Sequence, residues 1–228
     1  MKIFAVGAAS SLAEEVLSFI EKKEYNIIAT YHKKKPKKII KKKNIKLIKL
    51  DIRSHAQLKK IIKNLKLEKQ KIVLLNFVVF NEDKLFIHEK EKNIDQSYQI
   101  NIKSHLNLVK SFLPTMIRNK FGRIVHFSSV IEGEIGTTLY SASKSYLYGF
   151  SSVIAKEYAA FNITSNILSL GYFNHGLWNK LSYKLKQKRL KQIPSKKLGK
   201  SINIANAIDF IIKSDYVNRS IIKIDGGI

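Results

Sequence analysis

The chain alternates short apolar runs with longer stretches in which apolar residues return every three or four positions. Lys2–Val6 is a run of the first kind, closed by Gly7-Ala8-Ala9-Ser10-Ser11. Leu12, Val16, Leu17 and Ile20 then recur at helical spacing through Lys22. The same pattern predicts strands at Asn26–Tyr31, Ile45–Leu50, Lys71–Phe80, Ile124–Phe127, Thr164–Leu168 and Ile221–Ile224. It predicts helices at Gln57–Leu67, Asp95–Asn119 (interrupted late by Pro114), Tyr140–Phe161 and Ile204–Lys213. Residues 172–200 read as polar, lysine-rich and irregular, with Pro194 and Gly199 as punctuation. Alternating strands and helices call for crossover connections. The expected fold is therefore α/β, a doubly wound parallel sheet of about seven strands with helices on both faces. In such sheets ligands bind beyond the carboxyl ends of the strands.

Composition narrows the class. A length of 228 residues suits one domain, 1–228, with a full core. No apolar run reaches the roughly 18 residues of a membrane span. The N-terminus turns acidic at Glu14-Glu15 and reads as a first strand rather than a signal peptide. Zero cysteines exclude disulfides and thiolate metal sites, and the cytoplasm is the expected compartment. The net charge of +25 invites a nucleic-acid reading, but it comes from 37 Lys and only 5 Arg. Sequence-specific readers lean on arginine forks and exposed aromatics. Lysine here is spread along the chain, so no specific nucleic acid is expected. The densest run, Lys33 to Lys43, reads as a solvated loop and helix edge.

Four strand ends carry candidate chemistry. A turn of small residues ahead of a helix N-terminus, Gly7–Ala13, suits a pyrophosphate, because free N–H groups and the helix dipole face the anion. His32 and Lys33 to Lys35 follow the second strand, where a base suits a ribose 2′-phosphate and an acid suits a 2′-hydroxyl. This favours NADP(H) over NAD(H). Asp51 can accept from an adenine amino group or cap the next helix. Ser129 ends an apolar strand, where a hydroxyl can polarise a carbonyl. Tyr140 and Lys144 stand one helical turn apart, so phenol and ammonium share a face. A nearby Lys⁺ lowers a tyrosine pKa and makes a proton donor usable near neutrality. Spacing alone proves little: chance gives roughly 1.6 such pairs in this composition, and the chain has two, the other being Tyr31/Lys35. Asn101 lies mid-helix, where Asn is a poor helix former. His105 and His126 are lone histidines, and no metal cluster emerges.

In order, these residues resemble the short-chain dehydrogenase/reductase family, nearest its 3-oxoacyl-carrier-protein reductase type. The strings are Val73-Leu74-Leu75-Asn76, Asn101, Gly122–Ser129, Tyr140-Ser141-Ala142-Ser143-Lys144, Asn166–Tyr172, Ile193-Pro194 and Ile224-Asp225-Gly226-Gly227. The resemblance implies a Rossmann fold and NAD(P)H-dependent carbonyl reduction. Tyr140 donates the proton, Lys144 supports it, Ser129 orients the carbonyl and Asn101 anchors a water-linked relay. It places the nucleotide on Gly7, Ser10, Ser11, Leu12, Tyr31, His32, Lys33, Asp51, Ile52, Asn76, Phe77, Val78, Tyr140, Lys144, Gly171 and Phe173. A substrate lid is implied at about 172–200, carrying Tyr172, Phe173, Trp178 and Leu181. Its apolar residues suit an acyl thioester, and its lysines suit an acidic carrier protein. Relatives assemble as homodimers or homotetramers. The departures cluster at the cofactor: Val6, Ser11 and Ala13 replace the family turn's Thr and later glycines, and Val78-Val79 replace Ala-Gly. They leave one alternative, a cofactor-impaired homologue acting as a scaffold or partner protein.

Overall fold

The computed structural model describes residues 1–23, 25–131 and 133–228. Its first strand, β1 (Lys2–Val6), sits centrally in the sheet and is apolar on both faces. Ile3 and Ala5 enter one core, Phe4 and Val6 the other, following the two-residue period of a strand. β2 (Asn26–Tyr31), β3 (Ile45–Lys49), β4 (Ile72–Asn76), β5 (Gly122–Ser129), β6 (Ile163–Leu170) and β7 (Ile221–Ile224) complete a parallel sheet of seven strands. Their order is β3-β2-β1-β4-β5-β6-β7. The chain reverses direction across the sheet between β1 and β4, which opens a crevice at their carboxyl ends.

Each face is covered by amphipathic helices. α1 (Ser11–Glu21) and α8 (Ser201–Lys213) bury Val16, Leu17, Ile20, Ile204, Ile208 and Ile211 against Ile3 and Val73. α2 (His55–Asn64), α4 (Ser104–Arg118) and α5 (Thr138–Glu157) bury Leu58, Leu108, Phe112 and Ile154 against Phe4 and Leu74. The rings of Phe4 and Phe112 meet at 4.7 Å. Burying one such aromatic contributes about 1.5–3 kcal/mol.

Four expectations are corrected. Pro114 does not interrupt its helix: α4 runs through it to Arg118, held by buried Phe112, Leu113 and Met116. The distortion lies earlier, where α3 (Glu91–Ser97) opens into a π-helical stretch at Tyr98–Lys103 before α4 begins. Such widened turns recur at functional sites, and Asn101 lies inside this one. Residues 172–200 are not wholly irregular. They hold α6 (Leu177–Lys180) and α7 (Tyr183–Gln192), the latter capped by Ser182. Lysine is a good helix former, but α7 buries nothing and so shows no apolar stripe. The Lys33–Lys43 run carries no helix edge. It is a loop pinned by Glu14, whose carboxylate accepts the Lys37 and Lys38 N–H groups at 3.0 and 3.1 Å, with Ile39 buried in the core. The strand expected over Lys71–Phe80 stops at Asn76. No helix among the described residues is long and apolar enough to cross a membrane.

Candidate active site

β5 delivers Ser128 and Ser129 to the crevice, and α5 begins only nine residues later. Its first turns aim Tyr140 and Lys144 back at the strand end. Ser129, Tyr140 and Lys144 line one cleft of about 470 Å³, with Phe77, Tyr172, Phe173, Trp178 and Leu181 supplying apolar wall. Lys144 Nζ donates to the Phe127 carbonyl at 2.7 Å and lies 5.6 Å from the Tyr140 ring centre. Burial pulls the lysine down to about 8. The tyrosine moves the other way. Burial raises it, the Ser129 hydroxyl partly offsets that, and Asp83 adds to the rise. The expected lowering of Tyr140 by Lys144 is therefore not realised in this arrangement. The ammonium is turned to a carbonyl, and desolvation dominates both groups.

Asn101 stands behind this cleft rather than in it. Its Oδ1 accepts the Phe80 N–H at 2.7 Å, and its Nδ2 donates to the Phe80 carbonyl at 2.8 Å and to Ser143 Oγ at 3.1 Å. The side chain thus ties the segment after β4 to α5. A small cavity of about 10 Å³ separates Asn101 from Lys144, roughly the space of one water.

A second cleft, about 330 Å³, continues past Val78, which lines both. Gly7, Tyr31, His32, Lys33, Asp51 and Ile52 surround it. Gly7 has φ +82°, and a Cβ there would lie 2.7 Å from Val78 Cγ2, so the turn requires glycine for both reasons. Asn76 Oδ1 accepts the Val78 N–H at 3.1 Å and shapes the loop, while Phe77 stacks on Phe127 at 4.4 Å. Ser10 caps α1 through the Ala13 N–H at 3.2 Å. Ser10, Leu12, Gly171 and Phe173 line the larger cleft. Ser11 lines neither cleft: its hydroxyl accepts the Gly176 N–H at 3.2 Å and holds the 172–200 segment on the turn.

Asp51 is not the cap of α2. Ser54 is, accepting the Gln57 N–H, and Asp51 instead takes a fork from Arg53, 2.6 Å at its shortest, with His32 at 3.6 Å. Arg53 lines the smaller cleft and was missed by sequence reasoning; its position two residues past Asp51 was the available signal. Arg189 and Glu134 were missed too. They form a forked ion pair across the mouth of the larger cleft, one arm at 2.7 Å. No pattern in the sequence pointed to it, because residues 172–200 read there as irregular. Among the described residues no group of three His, Asp or Glu side chains is placed to hold a metal.

A parallel sheet in this order, with a Ser-Tyr-Lys cleft continuing into a glycine-turn cleft, defines a class of dinucleotide-dependent oxidoreductase. The family model described as short chain dehydrogenase matches residues 2–186, and the chain belongs to that family as an NAD(P)-dependent oxidoreductase. It is similar to the 3-oxoacyl-[acyl-carrier-protein] reductase FabG of Buchnera aphidicola subsp. Schizaphis graminum, 32% identical over 97% of this chain and 94% of that protein. It is 33% identical to the FabG of Thermotoga maritima over 78% of this chain and 75% of that one. A solved structure titled "ElxO with NADP Bound" shares the fold, with a TM-score of 0.87 at 22% identity, covering 99% of this chain and 97% of that one.

Proposed function

We propose that the protein is an NADPH-dependent reductase of 3-oxoacyl thioesters, with Tyr140 as proton donor. The observation that carries this is the single cleft uniting Ser129, Tyr140 and Lys144 with an apolar wall. The residues present fit the dinucleotide. Gly7 leaves room that a Cβ would fill, and the α1 N-terminus meets the cleft at Ser10 and Leu12. His32, Lys33 and Arg53 gather at the other end, where a 2′-phosphate favours bases over acids. When bound, the nicotinamide supplies the hydride.

The chain's own residues do the rest. Ser129 orients the carbonyl oxygen. Tyr140, kept protonated by burial, gives that oxygen its proton as negative charge develops there. Lys144, with a lowered pKa, can pass a proton toward the phenol. Asn101 fixes the α5 backbone through Ser143, whose hydroxyl donates to the Tyr140 carbonyl at 2.8 Å. Tyr172, Phe173 and Trp178 exclude water from the acyl chain. Exposed Lys184, Lys188 and Lys191 on α7 suit an acidic carrier protein delivering the thioester. Raised salt should then increase KM for a carrier-linked substrate and leave a small free thioester unaffected. The exposed apolar residues Val153, Phe210 and Ile221, with β7 as an open sheet edge, support a homodimer or homotetramer, which sedimentation would test.

Thermal melting with each nucleotide tests the cofactor. NADPH should raise Tm more than NADH at equal concentration, because only the native state binds. Failure of both at millimolar levels would favour the scaffold alternative.

A further inference from the structure

Behind the cleft lies a run of buried polar groups that the proposed chemistry does not use. Tyr146 Oη is 3.2 Å from the Asn101 carbonyl and 2.7 Å from His105 Nδ1. His105 Nε2 is 3.1 Å from His126 Nδ1. His126 Nε2 is 2.8 Å from Ser165 Oγ, which is 2.9 Å from Ser151 Oγ. His105, His126, Ser151 and Ser165 are all buried. Burial holds both imidazoles far below their ordinary pKa, His126 to about 3, with His126 and Lys144 adding to the effect on His105.

A neutral imidazole has one N–H donor and one bare nitrogen acceptor. The two facing ring nitrogens need one of each, so choosing one tautomer fixes the other. Two uniform polarities remain. In one, every donor points from Ser151 toward Tyr146, and the phenol is left free to donate to the Asn101 carbonyl. In the other, the phenol donates to His105 and the carbonyl loses its hydroxyl. The first polarity keeps one more hydrogen bond than the second, the one from the phenol to the Asn101 carbonyl, worth about 0.5–1.5 kcal/mol. The first polarity therefore prevails, with both histidines protonated at Nδ1.

We propose that Ser151, Ser165, His126, His105 and Tyr146 form one polarised hydrogen-bond chain whose final donor holds the Asn101 carbonyl. This makes His105, His126 and Tyr146 positioning residues for Lys144. Asn101 is the hub that converts the chain into geometry. Its carbonyl is gripped by Tyr146, its side chain grips Phe80 and Ser143, and it shares the small cavity with Lys144. The kinetic role rests on the reductase reading; the tautomers do not.

Nitrogen-15 NMR of histidine side chains in the intact protein tests the chain without any variant. His105 and His126 should each appear as a neutral Nδ1–H tautomer from pH 5 to 8. An Nε2–H tautomer or an imidazolium at either position overturns the proposal. In kinetics, His126→Phe removes the donor to His105, so His105 can re-tautomerise and draw the Tyr146 hydroxyl off Asn101. Tyr146→Phe and His126→Phe should each lower kcat about five- to tenfold with KM for nucleotide unchanged. The double variant should lose no more than either one, since the groups act as a unit. Multiplying losses, or wild-type kcat in both single variants, overturns the positioning role. Should His126→Phe fail to fold, Ser151→Ala should still shift the His126 nitrogen resonances, and unchanged resonances contradict a connected chain. A protein that turns over no thioester, yet shows both Nδ1–H tautomers, retains the chain and loses the reductase reading.

Discussion

The two clefts on either side of Val78 use opposite physics. The larger one works by exclusion. Tyr140, Lys144 and Ser129 are shut in, and burial moves the phenol up and the amine down. The smaller one works by display. His32, Lys33 and Arg53 are exposed at its rim, Arg53 forked onto Asp51. Substitutions in the enclosed cleft should thus change the rate at which bonds form, and those in the open cleft should change which nucleotide binds and how salt affects it.

The largest effect should come from Tyr140→Phe, which removes the donor and keeps the ring. A loss of about 10²–10⁴-fold in kcat is expected, with nucleotide binding and Tm near wild type. Next comes Gly7→Ala at the seam. The left-handed backbone and the approach to Val78 should together cost about 1–3 kcal/mol and weaken nucleotide binding. Adding Val78→Ala should recover only the clash with the Val78 side chain and leave the contacts to the Val78 and Phe77 backbone, which a Tm comparison of the two variants would read. In the open cleft, Arg53→Ala should raise KM for NADPH about tenfold to a hundredfold, the size of a charge-assisted bond, and leave NADH nearly untouched. An equal effect on both nucleotides would break the contrast.

The pH dependence of the enclosed cleft follows from the lysine. Lys144 is charged below about 8 and neutral above it, while Tyr140 stays protonated through that range. For reduction, kcat/KM should be flat below about pH 8 and fall above it as the ammonium is lost. The linkage has the opposite sense for stability. Between about 8 and the ordinary lysine value, the unfolded chain binds the extra proton, so the cost of burying Lys144, full below about 8, fades and stability rises with pH. Lys144→Met should remove both features. The smallest effect is expected far from both clefts, at Arg219→Gly. Arg219 is exposed at φ +57°, and glycine should raise stability by about 0.5–1 kcal/mol.

What could be read from the sequence follows the same division. Strands β1, β2 and β7 were legible to the residue, because each is a short run rich in apolar and β-branched residues set off from a helical pattern. Ser129, Tyr140 and Lys144 were legible as a group only through the family resemblance, since the Tyr–Lys spacing alone is no rarer than chance; regular elements then bring them to one cleft. The Ser11 contact to Gly176, the Arg53 fork and the Arg189–Glu134 pair were not, since each joins irregular segments that no periodicity describes. The π-helical stretch around Asn101 was signalled only by that poor helix former inside an ordinary helical stripe, which points to a distortion without giving its form. His105 and His126 looked like two lone histidines, 21 positions apart, until the packing of α4 on β5 brought their rings to 4.9 Å.

Turnover of NADPH with a 3-oxoacyl thioester, wild type beside Tyr140→Phe, tests the central claim most directly. The expected result is oxidation of NADPH matched one for one by 3-hydroxyacyl product, and near-complete loss in the variant whose Tm is unchanged. Turnover in Tyr140→Phe above about a tenth of wild type, well outside the range of a lost general acid, would contradict the account, as would a folded wild-type protein that binds NADPH and reduces no such thioester.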